Sequence, residues 1–364
     1  MSSMNNPVIS IVSPVYNEAE SLAEFVRQVA AVMTPLETKG STYELILVND
    51  GSRDASLQIA MQLAAADPRV RVVSFSRNFG HEAASTAGLR YARGQAMVLI
   101  DSDLQDPPEV IPQMIAKWRP ETDGQPGATG AQIVYGMRSK RQEETALKKA
   151  TSWLFYRIMR KLAKINIPKD TGDFRLMDRR VVDAFNALPE RNRFVRGLVC
   201  WTGFRSTGVE FLRAPRFAGT TKYNYLKLIK LAFDSITSFT TMPLKIATWM
   251  GMLIAASSIL WIFVVLYQYL FWRNPDGTPY RLAGFTFLYL SILFLGGVQI
   301  FLIGLLGEYL ARTYEEVQRR PLYIVDELVN FGDTPAIGGP NGGVLSGVGG
   351  RLGTIDRGRD ARAT

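Results

Sequence analysis

The sequence predicts an α/β domain with a mostly parallel sheet, followed by a hairpin of two membrane-crossing helices. Three observations point there. Over the first 140 residues, short apolar runs alternate with amphipathic helical stretches. Pro14, Asn17, Asp50, Asn78 and Asp101 all fall at the ends of those runs. Residues 246–272 and 282–307 contain no charged side chain.

Taken in order, residues 8–16 read as a buried strand and 18–33 as a helix. Residues 43–50 read as a second strand, 56–66 as a helix and 70–77 as a third strand. Residues 83–93 are helical and 96–101 form a fourth strand. Apolar runs of this length, separated by amphipathic helices, indicate βαβ units. In open sheets of that kind ligands sit at the carboxyl ends of strands. A Gly/Pro loop spans 121–130, and 133–139 returns to strand. Residues 145–164 form a basic helical pattern suited to a membrane interface or to the sheet's surface, and 225–240 a second such helix.

The two uncharged stretches each exceed the ~20 apolar residues that cross a bilayer as a helix. Lys222, Lys227, Lys230 and Lys245 precede the first, and Arg312, Arg319 and Arg320 follow the second. The positive-inside tendency then puts both termini in the cytoplasm. No signal peptide is visible, and one cysteine, Cys200, rules out an internal disulfide. Formal net charge is +9, with basic residues concentrated among aromatics at 138–161 and 213–230. That placement favours a membrane surface and anionic substrates over nucleic acid. The expected domains are a cytoplasmic catalytic domain (1–224), a juxtamembrane helix (225–245) and the hairpin (246–311). A cytoplasmic segment (312–330) and a Gly-rich, disordered tail (331–364) complete the chain.

The most informative motif is VLIDSDLQDPPE (98–109). Asp101 and Asp103, on alternate positions after a strand, can aim two hard oxygen ligands at one divalent cation, with Gln105 as a neutral third. A lone pair of this kind would serve equally well to cap the next helix. Three further segments stand beside it: SPVYNEAE (13–20), LVNDGSRD (47–54) and TGDFRLMDRR (171–180).

Together these segments resemble the family 2 glycosyltransferases of the GT-A fold. NFG (78–80), RNRFVRGLVCW (191–201) and RFAGTTKYN (216–224) tighten the likeness. With the two C-terminal spans, the chain resembles polyisoprenyl-phosphate glycosyltransferases, above all the bactoprenol glucosyltransferase group. The resemblance implies a nucleotide-sugar donor held by Pro14, Tyr16, Glu18, Asp50, Asp101, Ser102, Arg216 and Lys222. It implies Mg²⁺ or Mn²⁺ on Asp101, Asp103 and Gln105. A lipid phosphate would meet Arg138, Ser139, Lys149 and Ser152. Asp173 matches the catalytic carboxylate of inverting relatives, as a base or as a group that orients sugar and acceptor, with Asp103 also catalytic. Asn49, where many relatives carry Asp, is assigned no donor contact. His81 reads as loop packing, and Cys200 and Trp201 as core or membrane-facing.

The implied reaction is inverting transfer of a hexose, glucose from UDP-glucose, to undecaprenyl phosphate on the cytoplasmic face of a bacterial plasma membrane. The product would be a lipid-linked glycosyl phosphate for cell-envelope glycan modification. The partners implied are the polyprenyl phosphate lipid, a separate flippase and a downstream transferase, with a homo-oligomer, a tetramer in relatives. Rival readings are another donor, GDP-mannose or a UDP-aminoarabinose derivative, a processive synthase, and an inactive membrane scaffold. The Q-x-x-R-W motif of processive synthases is absent, and a scaffold has no need of Asp101, Asp103 and Asp173 together.

Overall fold

The computed structural model describes residues 7–38, 40–118, 130–138, 171–191, 193–212, 242–271, 284–332 and 343–344. Four βα units open the fold. They are β1 (Ile9–Val15) with α1 (Leu22–Glu37), β2 (Tyr43–Asn49) with α2 (Ser56–Ala66), β3 (Val70–Phe75) with α3 (His81–Tyr91), and β4 (Ala96–Leu99) with α4 (Ile111–Trp118). Then come β5 (Ile133–Arg138), β6 (Thr171–Asp178), α5 (Arg179–Ala187), α6 (Val195–Trp201) and β7 (Ser206–Phe211). Two long helices follow, α7 (Met242–Phe271) and α8 (Gly284–Gln318), and then β8 (Ile324–Val329) and the short β9 (Gly343–Val344).

The strands form one sheet in the order β7-β5-β6-β4-β1-β2-β3-β8-β9. β1 pairs in parallel with both β2 and β4, and β2 with β3. These strands are apolar and buried on both faces, as expected where helices cover a parallel sheet. Ile9, Ile11, Leu45, Leu47 and Val98 pack on one face against Phe25, Val29 and Met33 of α1. Val12, Ile46, Val48 and Leu99 pack on the other against Ala84, Ala87 and Leu89 of α3. The chain winds from β1 through β2 to β3, then crosses back to place β4 on the other side of β1. The crevice at that reversal is where such sheets bind ligands.

Two antiparallel returns modify the parallel sheet. β6 runs against β4 in the register Ala96↔Asp178 to Leu99↔Arg175. Continuing that register two residues sets Asp101 opposite Asp173. β8 runs against β3, with β9 beyond it, so the chain beyond α8 comes back to the catalytic sheet. Phe331 is buried against Tyr91, and the Tyr323 ring stacks on Phe75 at 4.9 Å. The segment after the second apolar stretch is thus part of the sheet rather than a simple extension.

α7 and α8 are long, ~45 and ~52 Å at 1.5 Å per residue. Among the described residues one stretch, Phe294–Gln318 within α8, is by itself long and apolar enough to cross a membrane, and α7 contributes the apolar run Ala247–Trp261. Large side chains such as Trp249, Leu253, Ile300 and Phe301 are exposed, so these helices are not the core of a soluble domain. The second apolar stretch was expected to end at 307, whereas α8 continues to Gln318. Its last turns carry Glu308 and Arg312, paired at 3.0 Å, and Glu316, whose carboxylate accepts the Arg191 N–H.

α1 starts at Leu22 rather than at the expected residue 18. The intervening residues are drawn into the β1–α1 loop by contacts from the neighbouring β2–α2 loop.

Candidate active site

The crevice is lined by the loops that leave β1, β2 and β4. Pro14 is buried in β1, and its carbonyl accepts the Ser102 hydroxyl at 3.1 Å, which ties the ends of β1 and β4 together. Ser102 is itself buried, so it braces the crevice from below. Beyond Pro14 the chain turns outward. Tyr16 is 42% exposed, and Asn17 takes a left-handed φ of 56°. That conformation costs little for Asn. Here it is fixed by the Arg53 N–H bonding to Asn17 Oδ1 at 2.8 Å and the Asn17 N–H to Ser52 Oγ at 3.1 Å. The Glu18 N–H donates to Ser56 Oγ at 2.8 Å. Two loops far apart in sequence are therefore laced into one rim.

Asp50, implied by the resemblance as a donor contact, is held here by the neighbouring loop. It is buried, and its carboxylate accepts the Phe79 N–H at 2.7 Å, the Gly80 N–H at 3.0 Å and Asn78 Nδ2 at 2.9 Å. Burial pushes its pKa up, while the Phe79 and Gly80 N–H groups pull it down; the net shift is upward. Gly51, at φ 62°, passes so close to residues 77–78 that a Cβ would stand 2.4 Å from the Arg77 carbonyl carbon. In this structure Asp50 shapes the NFG turn, and that turn delivers His81 and Glu82 at the start of α3. Asn49 also serves structure, its amide reaching Ser74 Oγ at 3.1 Å.

The centre of the site is a set of charges brought together by the β4–β6 register and α3. His81 Nε2 lies 3.7 Å from Asp101 Oδ1 and 3.8 Å from Asp173 Oδ2. His81 is exposed into the crevice, so it is not the packing residue the sequence suggested. Arg196, on α6, grips Asp173 through Nε–Oδ1 at 2.8 Å and Nη2–Oδ2 at 2.6 Å. Burial pushes the Asp173 carboxyl up, but the Arg196 bond and charge, aided by Arg175 and His81, outweigh it and hold the group well below the usual carboxylate range. Arg175 is buried and bonds the Gly172 and Asp173 carbonyls. Glu82 faces the same cluster, accepts the Val195 N–H at 3.0 Å, and is pushed up by burial and by Asp173.

The 101–106 turn carries the remaining acidic groups. Asp103 Oδ1 accepts the Gln105 N–H at 3.1 Å, and Leu104 between them sits at φ 59°. Arg138, at the end of β5, approaches buried Asp106 with Nη2–Oδ1 at 3.7 Å. Of the expected site residues, Ser139, Lys149, Ser152, Arg216 and Lys222 lie outside the described residues, as do the expected helices 145–164 and 225–240.

The sequence that builds this sheet is matched by known proteins. Residues 10–185 fit the model of glycosyl transferase family 2, and residues 242–313 fit the GtrB C-terminal hairpin. An uncharacterized glycosyltransferase of Bacillus subtilis is 46% identical over 87% of this chain and 93% of its own. An SfII prophage-derived bactoprenol glucosyl transferase of Shigella flexneri is 43% identical, covering 87% of this chain and 97% of that one. A prophage bactoprenol glucosyl transferase homolog of Escherichia coli is 42% identical, covering 87% and 98%. The chain belongs to glycosyl transferase family 2.

For a family 2 enzyme the question is whether these residues suit a divalent cation. Among the described residues no group of three or more His, Cys, Asp and Glu is arranged to hold a metal. Asp101 and Asp103 are hard oxygen donors on one turn, which suits a cation completed by phosphate oxygens and water. Their surroundings favour added positive charge. Burial pushes Asp101 up to about 6; His81 opposes this, and the charges of Asp173, Asp106 and Asp103 reinforce it. The residues therefore fit such an ion. The sequence suggested loop packing for His81 and gave no role to Glu82 and Arg196. The only signal was the motif likeness of NFG and RNRFVRGLVCW.

Proposed function

We propose that this enzyme transfers glucose from UDP-glucose to undecaprenyl phosphate at the cytoplasmic face of the membrane, with inversion at the anomeric carbon. The observation that carries this reading is the convergence of Asp101 and Asp173 on one crevice, in a chain 41–43% identical to bactoprenol glucosyl transferases over nearly their whole length. The hairpin and its exposed apolar surface support a lipid acceptor and a membrane-embedded, two-span anchor.

In this mechanism Pro14, Tyr16 and Glu18 shape the rim over the nucleoside. Asp101, Asp103 and Gln105 would hold Mg²⁺ or Mn²⁺, which when bound would supply neutralisation of the charge on the departing diphosphate. Arg216 and Lys222 would close on the same diphosphate. Arg138, with Ser139, Lys149 and Ser152, meets the acceptor phosphate. A phosphate oxygen attacks C1, the bond from C1 to UDP breaks, and its electron pair leaves with UDP. The second pKa of a phosphate monoester is about 6, so the nucleophile is already deprotonated near neutrality. Asp173 then orients sugar and acceptor, a role that suits its pairing with Arg196.

The test is incubation of the purified protein with Mn²⁺, undecaprenyl phosphate and a panel of labelled nucleotide sugars. Formation of an acid-labile glucosyl lipid from UDP-glucose alone is expected. Preference for GDP-mannose or a UDP-aminoarabinose derivative would replace the donor, and no labelled lipid from any sugar would overturn the reading.

A further inference from the structure

The crevice poses an electrostatic problem for the acceptor just described. Asp101 and Asp173 both approach His81, at 3.7 and 3.8 Å, Glu82 feels the charge of Asp173, and a lipid monophosphate brings roughly 1.5–2 further negative charges. Like charges at contact distance repel strongly where water is partly excluded. Some cation must cancel the carboxylate nearest the reaction.

Among the described residues, three positively charged or chargeable groups face Asp173. Arg175, from β6 itself, is 1% exposed and occupied by the Gly172 and Asp173 carbonyls, so no ligand can reach it. His81, from α3, stands farther off and is shared with Asp101. Arg196, from α6, makes the short two-toothed contact, and its side chain is 35% exposed while that of Asp173 is 12% exposed. Arg196 is therefore the more exposed partner of the pair. Its place is fixed from behind, because Glu82 accepts the N–H of the preceding residue, Val195. A fork of two parallel bonds from guanidinium to carboxylate also fixes orientation as well as charge.

We infer that Arg196 is a positioning residue for the acceptor: it cancels the charge of Asp173 so that an anionic phosphate can approach the sugar beside that carboxylate. The inference rests on the proposed lipid-phosphate acceptor. Through Glu82 it also gives the NFG turn a task, since that turn sets α3 against α6. Loss of Arg196 should harm acceptor recognition far more than donor recognition.

The experiment uses the full-length protein in detergent with Mn²⁺, UDP-glucose and undecaprenyl phosphate, comparing Arg196→Gln, Arg196→Lys, Asp173→Asn and the Asp173→Asn/Arg196→Gln double variant. Arg196→Gln should raise the acceptor KM roughly 10- to 100-fold, the loss typical of a charge-assisted contact, with UDP-glucose affinity changed less than about twofold. Arg196→Lys, which keeps charge without the fork, should recover part of that loss. In the Asp173→Asn background the same Arg196→Gln change should raise acceptor KM by less than about threefold, because no carboxylate charge remains to cancel. An equal penalty in both backgrounds, or an equal loss of donor and acceptor affinity with a lower Tm, would make Arg196 merely structural and overturn the inference. If Arg196→Gln does not fold, the Arg196→Lys KM split carries the same decision. A parent protein that glucosylates no lipid phosphate would instead remove the functional reading beneath it.

Discussion

Gly172 lies beneath Arg138: a Cβ built on it would stand 2.8 Å from Arg138 Nη2 and 3.8 Å from Asp106 Oδ2. The missing side chain, one residue before Asp173, makes room for a guanidinium between the 101–106 turn and β6. Gly172→Ala should push aside the far end of a flexible arginine, which costs the fold little. The acceptor KM should rise about tenfold, the equivalent of one charge-assisted contact of ~1.5 kcal/mol, with Tm nearly unchanged. An unaltered acceptor KM would separate Arg138 from the lipid phosphate.

Asp103 gives the sharpest test of the cation. Asp103→Ala removes one of the two carboxylates proposed to hold the ion. Transfer should fall below detection, and Mn²⁺ should no longer strengthen UDP binding, measured by calorimetry with and without the metal. Full activity of the parent in EDTA, or unchanged Mn²⁺ dependence in the variant, would exclude the assignment.

Membrane topology follows from the uncharged stretches and their basic flanks. In a Cys200→Ser background, a cysteine replacing Asp276, between the two apolar stretches, should react with an impermeant thiol reagent on intact cells. A cysteine replacing exposed Glu20 should react only after permeabilisation. The reverse labelling would invert the orientation and put the crevice on the wrong side for a nucleotide sugar.

The parallel part of the fold was legible because β1 to β4 are continuous apolar runs, buried on both faces, each followed by a helix. The switch point was legible for the same reason, since Pro14 and Asp101 visibly end such runs. β6 was harder. It is buried almost throughout, yet Asp173 and Arg175 interrupt its hydrophobic pattern, so the residues that serve the site hide the strand that carries them. β8 reads IVDELV, with exposed charges near the end of the sheet, and tertiary pairing with β3 and β9 defines it. His81, Glu82 and Arg196 were missed because their partners are remote in sequence. A lone histidine after NFG has no neighbour in the chain that points to Asp101 or Asp173.

The last prediction concerns Asp173, faced by Arg196 from α6, Arg175 from β6, and His81 and Glu82 from α3. With its carboxyl held below the usual range, Asp173 stays ionised across pH 5–8 and is a weak base. A general base contributes roughly 10²–10⁴-fold, so Asp173→Asn should keep more than ~1% of the parent's single-turnover rate if the carboxylate only orients. The acidic limb of the rate should survive in the variant with its midpoint near ~6, the second ionisation of a phosphate monoester. A thiophosphate acceptor tells whether that limb belongs to the acceptor or to the protein. Its lower ionisation should move a limb that belongs to the acceptor and leave one that belongs to the protein. Stability gives an independent check of sign. A depressed folded pKa contributes stability above the unfolded value of ~3.9, and that contribution is lost as pH falls toward the folded value. The gap in unfolding free energy between parent and Asp173→Asn should therefore be widest near pH 7 and close below pH ~4. If instead the variant loses both its activity and the acidic limb, Asp173 is the base and the acceptor does not arrive already ionised.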